Sequence, residues 1–178
     1  MPELIQNGQI VQDDWTFVTL ADDQTAASVE LPPGRLVVPL TVWFARRDEL
    51  AGRPDATLGV WLAPDDDPAE IARDLSHFAV IAVHFPKFAD GRGYSIATLL
   101  RTRFGYRGEL RAFGDVLRDQ FNYLVRCGFD ALQPADGRYS REQLQAAVAS
   151  IGDFSQPYQH SAAVASPLFQ RTERGATV

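Results

Sequence analysis

Residues 78–113 read FAVIAVHFPKFADGRGYSIATLLRTRFGYRGELRAF. Phe78 to His84 is a nearly continuous apolar run, the pattern of a strand buried on both faces of a parallel sheet. Tyr94 to Phe104 puts Ile96, Leu99, Leu100 and Phe104 on one helical face before Gly105 stops it. Glu109 to Phe113 returns to a short strand. Strand, helix and strand with short connections make a right-handed βαβ unit.

The same alternation extends in both directions. Thr57 to Leu62 reads as a strand, and Asp65–Asp67 as the cap of a helix running to about Leu75. Val116 to Cys127 reads as a helix with Asp115 at its N-cap and Gly128 at its end. Phe129 to Gln133 is the next strand and Ser140 to Ile151 the last helix, where Ser140 and Gln143 have capping-box spacing. Between Leu36 and Gly52, Pro39 opens a helical pattern that Gly52 and Pro54 stop. Residues 4–20 hold short β-like pieces around Asn7–Gly8, a hairpin or an edge strand. From Gln156 onward proline, serine, alanine and threonine dominate, predicting an extended or disordered tail. The expected fold is therefore α/β, with alternating βα units on a mainly parallel sheet, open or closed into a partial barrel. Residues 1–35 form a small N-terminal β extension, 36–155 the α/β domain and 156–178 the tail.

Charge is unevenly spread along the 178 residues. Residues 85–120 carry seven of the 17 basic residues against four acids, whereas residues 1–84 carry 14 acids and five bases. A locally basic block on a chain of net charge −6 suits an anion or an acidic partner. The same net charge argues against nucleic acid. A single cysteine, Cys127, excludes an intrachain disulfide and a four-cysteine cluster, and three histidines show no zinc spacing. No signal peptide and no apolar run of membrane length are apparent, so a soluble cytoplasmic protein is expected. No fingerprint for a nucleotide, flavin or nicotinamide is present, so no cofactor and no metal is expected.

In parallel α/β sheets ligands bind beyond the carboxyl ends of the strands. There the sequence delivers His84, the loop Lys87 to Gly93, Gly114, Asp115 and Gln133. Asp90–Gly91–Arg92–Gly93 is either an anion nest, with Lys87 and Arg92 as clamps, or a tight turn. His84 is a candidate general base or a structural strand-end histidine, and Asp115 a second proton-handling candidate or simply a cap. Glu109 and Arg111 share one strand face, so either they pair or Arg111 reaches an anion. Arg101, Arg103 and Arg107 read as a solvated basic face, available for docking a partner.

The run FPKFADGRGYSIATLLRTRFGYRGELRAFGDVLRDQ, followed by RCGFDALQP and preceded by PLTVWFARRDEL and LGVWLAPDDDP, resembles a bacterial family catalogued as domain of unknown function 934. The resemblance covers roughly residues 36–160. Members often carry the label of probable oxidoreductase and are commonly encoded beside sulfite reductase and phosphoadenylylsulfate or adenylylsulfate reductase. It implies a role in assimilatory sulfite reduction, but no catalytic residue that can be carried over. Two functions follow as expectations. One is an accessory subunit that binds sulfite reductase or its electron donor. The other is a small enzyme acting on an anionic sulfur or phosphate metabolite at the strand ends.

Overall fold

The computed structural model describes residues 2–151 and residue 162. Its frame is one eight-stranded sheet, curled and open. Strands β1 (Glu3–Gln6), β2 (Gln9–Gln12), β3 (Trp15–Phe17), β4 (Arg35–Pro39), β5 (Leu58–Leu62), β6 (Val80–Phe85), β7 (Glu109–Gly114) and β8 (Ala131–Pro134) lie in the order β2-β1-β8-β7-β6-β5-β4-β3. From β3 to β8 every pairing is parallel, and β1 joins both β8 and β2 antiparallel. The mixed α/β architecture with mostly parallel strands agrees with the sequence reading.

Parallel neighbours in chain order require crossovers of one hand, which put the helices on one side of the sheet. These are α1 (Leu40–Ala45), α2 (Arg47–Ala51), α3 (Arg92–Thr102), α4 (Phe121–Cys127) and α5 (Arg141–Ile151). The convex side holds the main core, in which Leu36, Val38, Val60, Leu62, Ile81, Val83, Leu110 and Leu132 pack against Trp43, Ile96, Leu100, Phe121 and Leu144. Each such buried side chain contributes roughly 1.5–3 kcal/mol. The alternate residues form the concave side, where Val37, Val80 and Ala82 meet Trp15, Phe17, Trp61 and Phe113.

The N-terminal strands belong to this same sheet and occupy both of its edges. Asn7 and Gly8, with φ of 49° and 75°, make the tight turn between β1 and β2. Only Asp13 and Asp14 then separate Gln12 in edge strand β2 from Trp15 in edge strand β3. Three Cα steps span at most roughly 11 Å. The chain therefore crosses from one sheet edge to the other in two residues, which curls the sheet around its concave face.

Three local expectations are corrected. The helical pattern opened by Pro39 is present, with Pro39 at the N-cap of α1 and a break at Arg46 before α2, but Leu36–Val38 ahead of it belong to strand β4, where both faces of the segment are buried in the sheet. The stretch after Asp65 forms two 3-10 turns, Pro68–Ile71 and Leu75–His77, in place of an α-helix. Asp67 caps the first by accepting from the Ala69 N–H at 2.9 Å. Asp115 is not an N-cap: the turn before α4 opens at Leu117, whose N–H donates to Gln120 Oε1 at 2.9 Å. The capping box at Ser140 and Gln143 is present, with both reciprocal bonds made. The expected tail over 156–178 lies outside the described residues, Ala162 excepted.

Candidate functional site

A cavity of about 440 Å³ opens at the carboxyl ends of the strands, on the concave face. Alternation along four strands builds its aromatic wall: Trp15 and Phe17 from β3, Trp61 from β5, His84 from β6 and Phe113 from β7. The rings support one another. Phe17 and Phe113 lie 4.8 Å apart between centroids, and Trp61 meets Phe113 edge-on at 6.0 Å. Trp61 Nε1 donates to the Val18 carbonyl at 3.0 Å, which fixes its ring.

His84 stacks on Phe113 at 4.8 Å and takes the edge of Trp61 at 6.0 Å. Among the described residues neither of its ring nitrogens has a hydrogen-bond partner. Its half-buried position disfavours the imidazolium and pulls the pKa below the ordinary value, so the ring is neutral near pH 7. Gly114 ends β7 beside it with φ of +104°. A side chain there would place Cβ 3.2 Å from His84 Nε2 and 2.5 Å from the Phe85 carbonyl oxygen. Glycine keeps this corner of the cavity open.

Asp13 and Gln133, which line the cavity floor, belong to a buried ion cluster that continues beneath it. Arg111 Nη1 donates to Asp13 Oδ2 at 2.9 Å and to Gln133 Oε1 at 3.1 Å, and Arg111 Nε donates to Glu109 Oε1 at 2.8 Å. The Arg111 and Asp13 side chains are only 2% and 1% exposed. The guanidinium lies 5.9 Å from the Phe17 ring centroid. Glu109 also accepts from Gln6 Nε2 at 2.6 Å. Two carboxylates thus compensate the charge of Arg111, which answers the pairing alternative, and Arg111 itself does not line the cavity.

The other sequence candidates lie elsewhere. None of Lys87, Asp90, Arg92 or Asp115 lines the cavity. Asp90 closes a local turn, accepting from the Arg92 backbone N–H at 3.2 Å and from Arg92 Nη2 at 2.7 Å. That guanidinium, also paired with Asp65, holds the Asp90 carboxyl at about 2. Gly93 packs against the Phe85 ring and Gly91 faces open space, so this segment is a turn leading into the first residues of α3, whose one arginine is engaged and whose Lys87 is exposed. Asp115 accepts from the Phe88 N–H at 3.0 Å and pairs with Arg138. It ties two loops together.

Arg101, Arg103 and Arg107 do not share a face. Arg101 turns inward and donates to the carbonyls of Tyr106, Gly108 and Gly128 at 2.8, 2.9 and 2.9 Å while pairing with Asp130. Arg103 and Arg107 stay exposed. A larger cavity of about 720 Å³ borders Arg101 and Asp130, but those groups already bond each other and the backbone. Among the described residues no cluster of histidine, cysteine or carboxylate side chains has the arrangement to hold a metal. No helix there is long and apolar enough to cross a membrane.

The family model described as "Bacterial protein of unknown function (DUF934)" matches residues 59–169. The chain belongs to this family. The matched segment runs from β5 to beyond α5 and so contains Trp61, His84, Arg111, Phe113 and Gln133. Asp13, Trp15 and Phe17 lie outside it. No curated protein and no solved structure matches the chain.

Sequence reasoning placed His84 and Gln133 at this edge of the sheet but missed Asp13, Trp15, Phe17, Trp61 and Phe113. The available signal was period-2 alternation, which sets Asp13, Trp15 and Phe17 on one face and Glu109, Arg111 and Phe113 on another. Nothing local says that these two faces meet.

Proposed function

We propose that this protein binds a small molecule in the aromatic mouth of its curled sheet and that His84 handles a proton on it. The observation that carries this reading is His84 itself. It is a half-buried imidazole stacked on Phe113, with no hydrogen-bond partner for either nitrogen among the described residues, on the wall of a 440 Å³ cavity. A histidine poised near neutrality can give or take a proton, and a half-buried one without a partner suits work on a ligand. The place is also where parallel sheets carry their sites. Because Arg92 and Arg111 are bound to carboxylates, an anionic sulfur or phosphate metabolite is a poorer fit than a neutral molecule. The test is to denature protein purified from its native host and identify released small molecules by mass spectrometry, comparing wild type with Trp61→Ala. A molecule depleted at least tenfold in the variant is expected; equal release from both, or none from either, would sink the reading.

A second reading uses another surface. Phe88 and Tyr123 are 56% and 51% exposed. Gln120 links their surroundings, donating to the Phe88 carbonyl at 2.8 Å and to the Tyr94 hydroxyl at 2.9 Å, while Tyr94 lies 4.9 Å from Tyr123. Exposed aromatic rings beside Lys87 suit a protein interface. On this reading the chain is an accessory subunit of assimilatory sulfite reduction, docked on sulfite reductase or its electron donor. Phe88→Ser with Tyr123→Ser should then abolish co-purification of a sirohaem protein from the native host.

A further inference from the structure

We infer that the ligand of the mouth is an uncharged, planar heteroaromatic ring bearing a carbonyl group, an inference that rests on the mouth being a ligand site. Shape comes first. Trp15, Phe17, Trp61, His84 and Phe113 present ring faces and edges around the cavity, which suits a flat ring that can stack or meet them edge-on. The volume of about 440 Å³ admits a ring system of one or two rings with substituents.

The carbonyl follows from Gln133. Arg111 Nη1 donates to its Oε1 at 3.1 Å, and a guanidinium has donors only. The amide oxygen is therefore the atom held against Arg111. The amide NH₂ faces away from it and has no acceptor among the described residues. Arg111 cannot compete for the ligand, because Asp13 and Glu109 occupy it. Arg111 is thus a positioning residue that fixes Gln133 as a donor at the cavity floor. A ligand carbonyl satisfies that donor, and His84 supplies a second hydrogen-bonding group on the wall.

Charge excludes the alternatives. The lining contains no lysine or arginine, Asp13 is spent on Arg111, and the exposed Asp136 disfavours an anion. A cation would suit the rings but would leave the partly buried Gln133 donor without an acceptor. A neutral acceptor-bearing ring meets both conditions.

The experiment titrates the protein with four probes: lumazine, a neutral bicyclic ring with two carbonyls; naphthalene, which has none; benzoate; and tetramethylammonium. Quenching of Trp15 and Trp61 fluorescence reports the ring probes, and calorimetry reports the two ions. Gln133→Glu keeps an acceptor for Arg111 and removes the donor, and Gln133→Met serves if that variant does not fold. Lumazine is expected to bind saturably and at least tenfold more tightly than naphthalene, with that advantage lost in the Gln133 variant at unchanged naphthalene affinity. Equal binding of the two rings, or no effect of the Gln133 substitution, overturns the inference and leaves the mouth a ligand site. Tighter binding of benzoate or tetramethylammonium overturns it in the same way. Binding of no probe overturns both.

Discussion

Asp13 and Arg111, 98 residues apart, form a hydrogen-bonded ion pair of 2.9 Å on the concave side of the sheet, where both side chains are almost completely buried. Asp13 belongs to the two-residue link between the edge strands, and Arg111 to the middle of β7. The pair therefore anchors the link to the sheet it spans. Breaking a buried pair by removing one partner costs about 3–5 kcal/mol. Asp13→Ala should lower the urea midpoint accordingly. Arg111→Met should cost more, because Asp13 and Glu109 would then face each other unneutralised. A loss under about 1 kcal/mol in Asp13→Ala would show that the link is held by something else.

His84 makes stability depend on pH. Its folded-state pKa lies below the unfolded value because burial disfavours the charged ring. The unfolded chain therefore binds more protons between those two values. The contribution is fully present above about pH 6.5, the unfolded value, and is lost as pH falls towards the folded one. The melting temperature of wild type should fall relative to His84→Phe between pH 8 and pH 5. Parallel curves for the two proteins would refute the assignment.

Gly91, at the N-cap of α3, and Gly93, in its first turn, differ in a way that separates packing from ligand binding. A Cβ on Gly93 would lie 2.6 Å from Phe85 Cζ, whereas one on Gly91 meets nothing within 4 Å. Gly93→Ala should destabilise by about 1–3 kcal/mol through overpacking. Gly91→Ala should remain within about 0.5 kcal/mol of wild type. Chemical denaturation of the two variants decides it.

Arg101 is a structural staple. Alanine there strands three carbonyls and Asp130, which itself accepts from the Leu110 N–H at 3.1 Å. Arg101→Ala should cost roughly 3 kcal/mol, since hydrogen bonds to a charged group contribute about 1.5–3 each. Arg103→Ala and Arg107→Ala should be nearly silent in the same melting experiment.

The parallel sheet was legible wherever a pattern is local. Residues 80–85 are apolar on both faces because a central parallel strand is covered on both sides, and α3 shows its buried stripe at helical spacing. The capping box at Ser140, the turn at Asn7–Gly8 and the left-handed Gly128 were equally readable, since each is decided within a few residues. The helix opening at Pro39 was readable too, but the strand over Leu36–Val38 was not, because an apolar run ahead of a proline suits a buried strand and a helix start alike.

The site needed the tertiary structure. The sequence marked His84, Gln133 and the strand ends as the edge where chemistry belongs, from topology alone. That Arg111 faces Asp13 rather than an anion depends on a strand pairing across the whole chain. That Trp15 and Phe17 close the cavity depends on two residues bridging the sheet edges. The sequence by itself determined the alternation of strands and helices, because periodicity and capping act over a few residues. Only the folded chain decided which charges are spent and which polar groups remain free, because desolvation and pairing depend on neighbours brought together from distant segments.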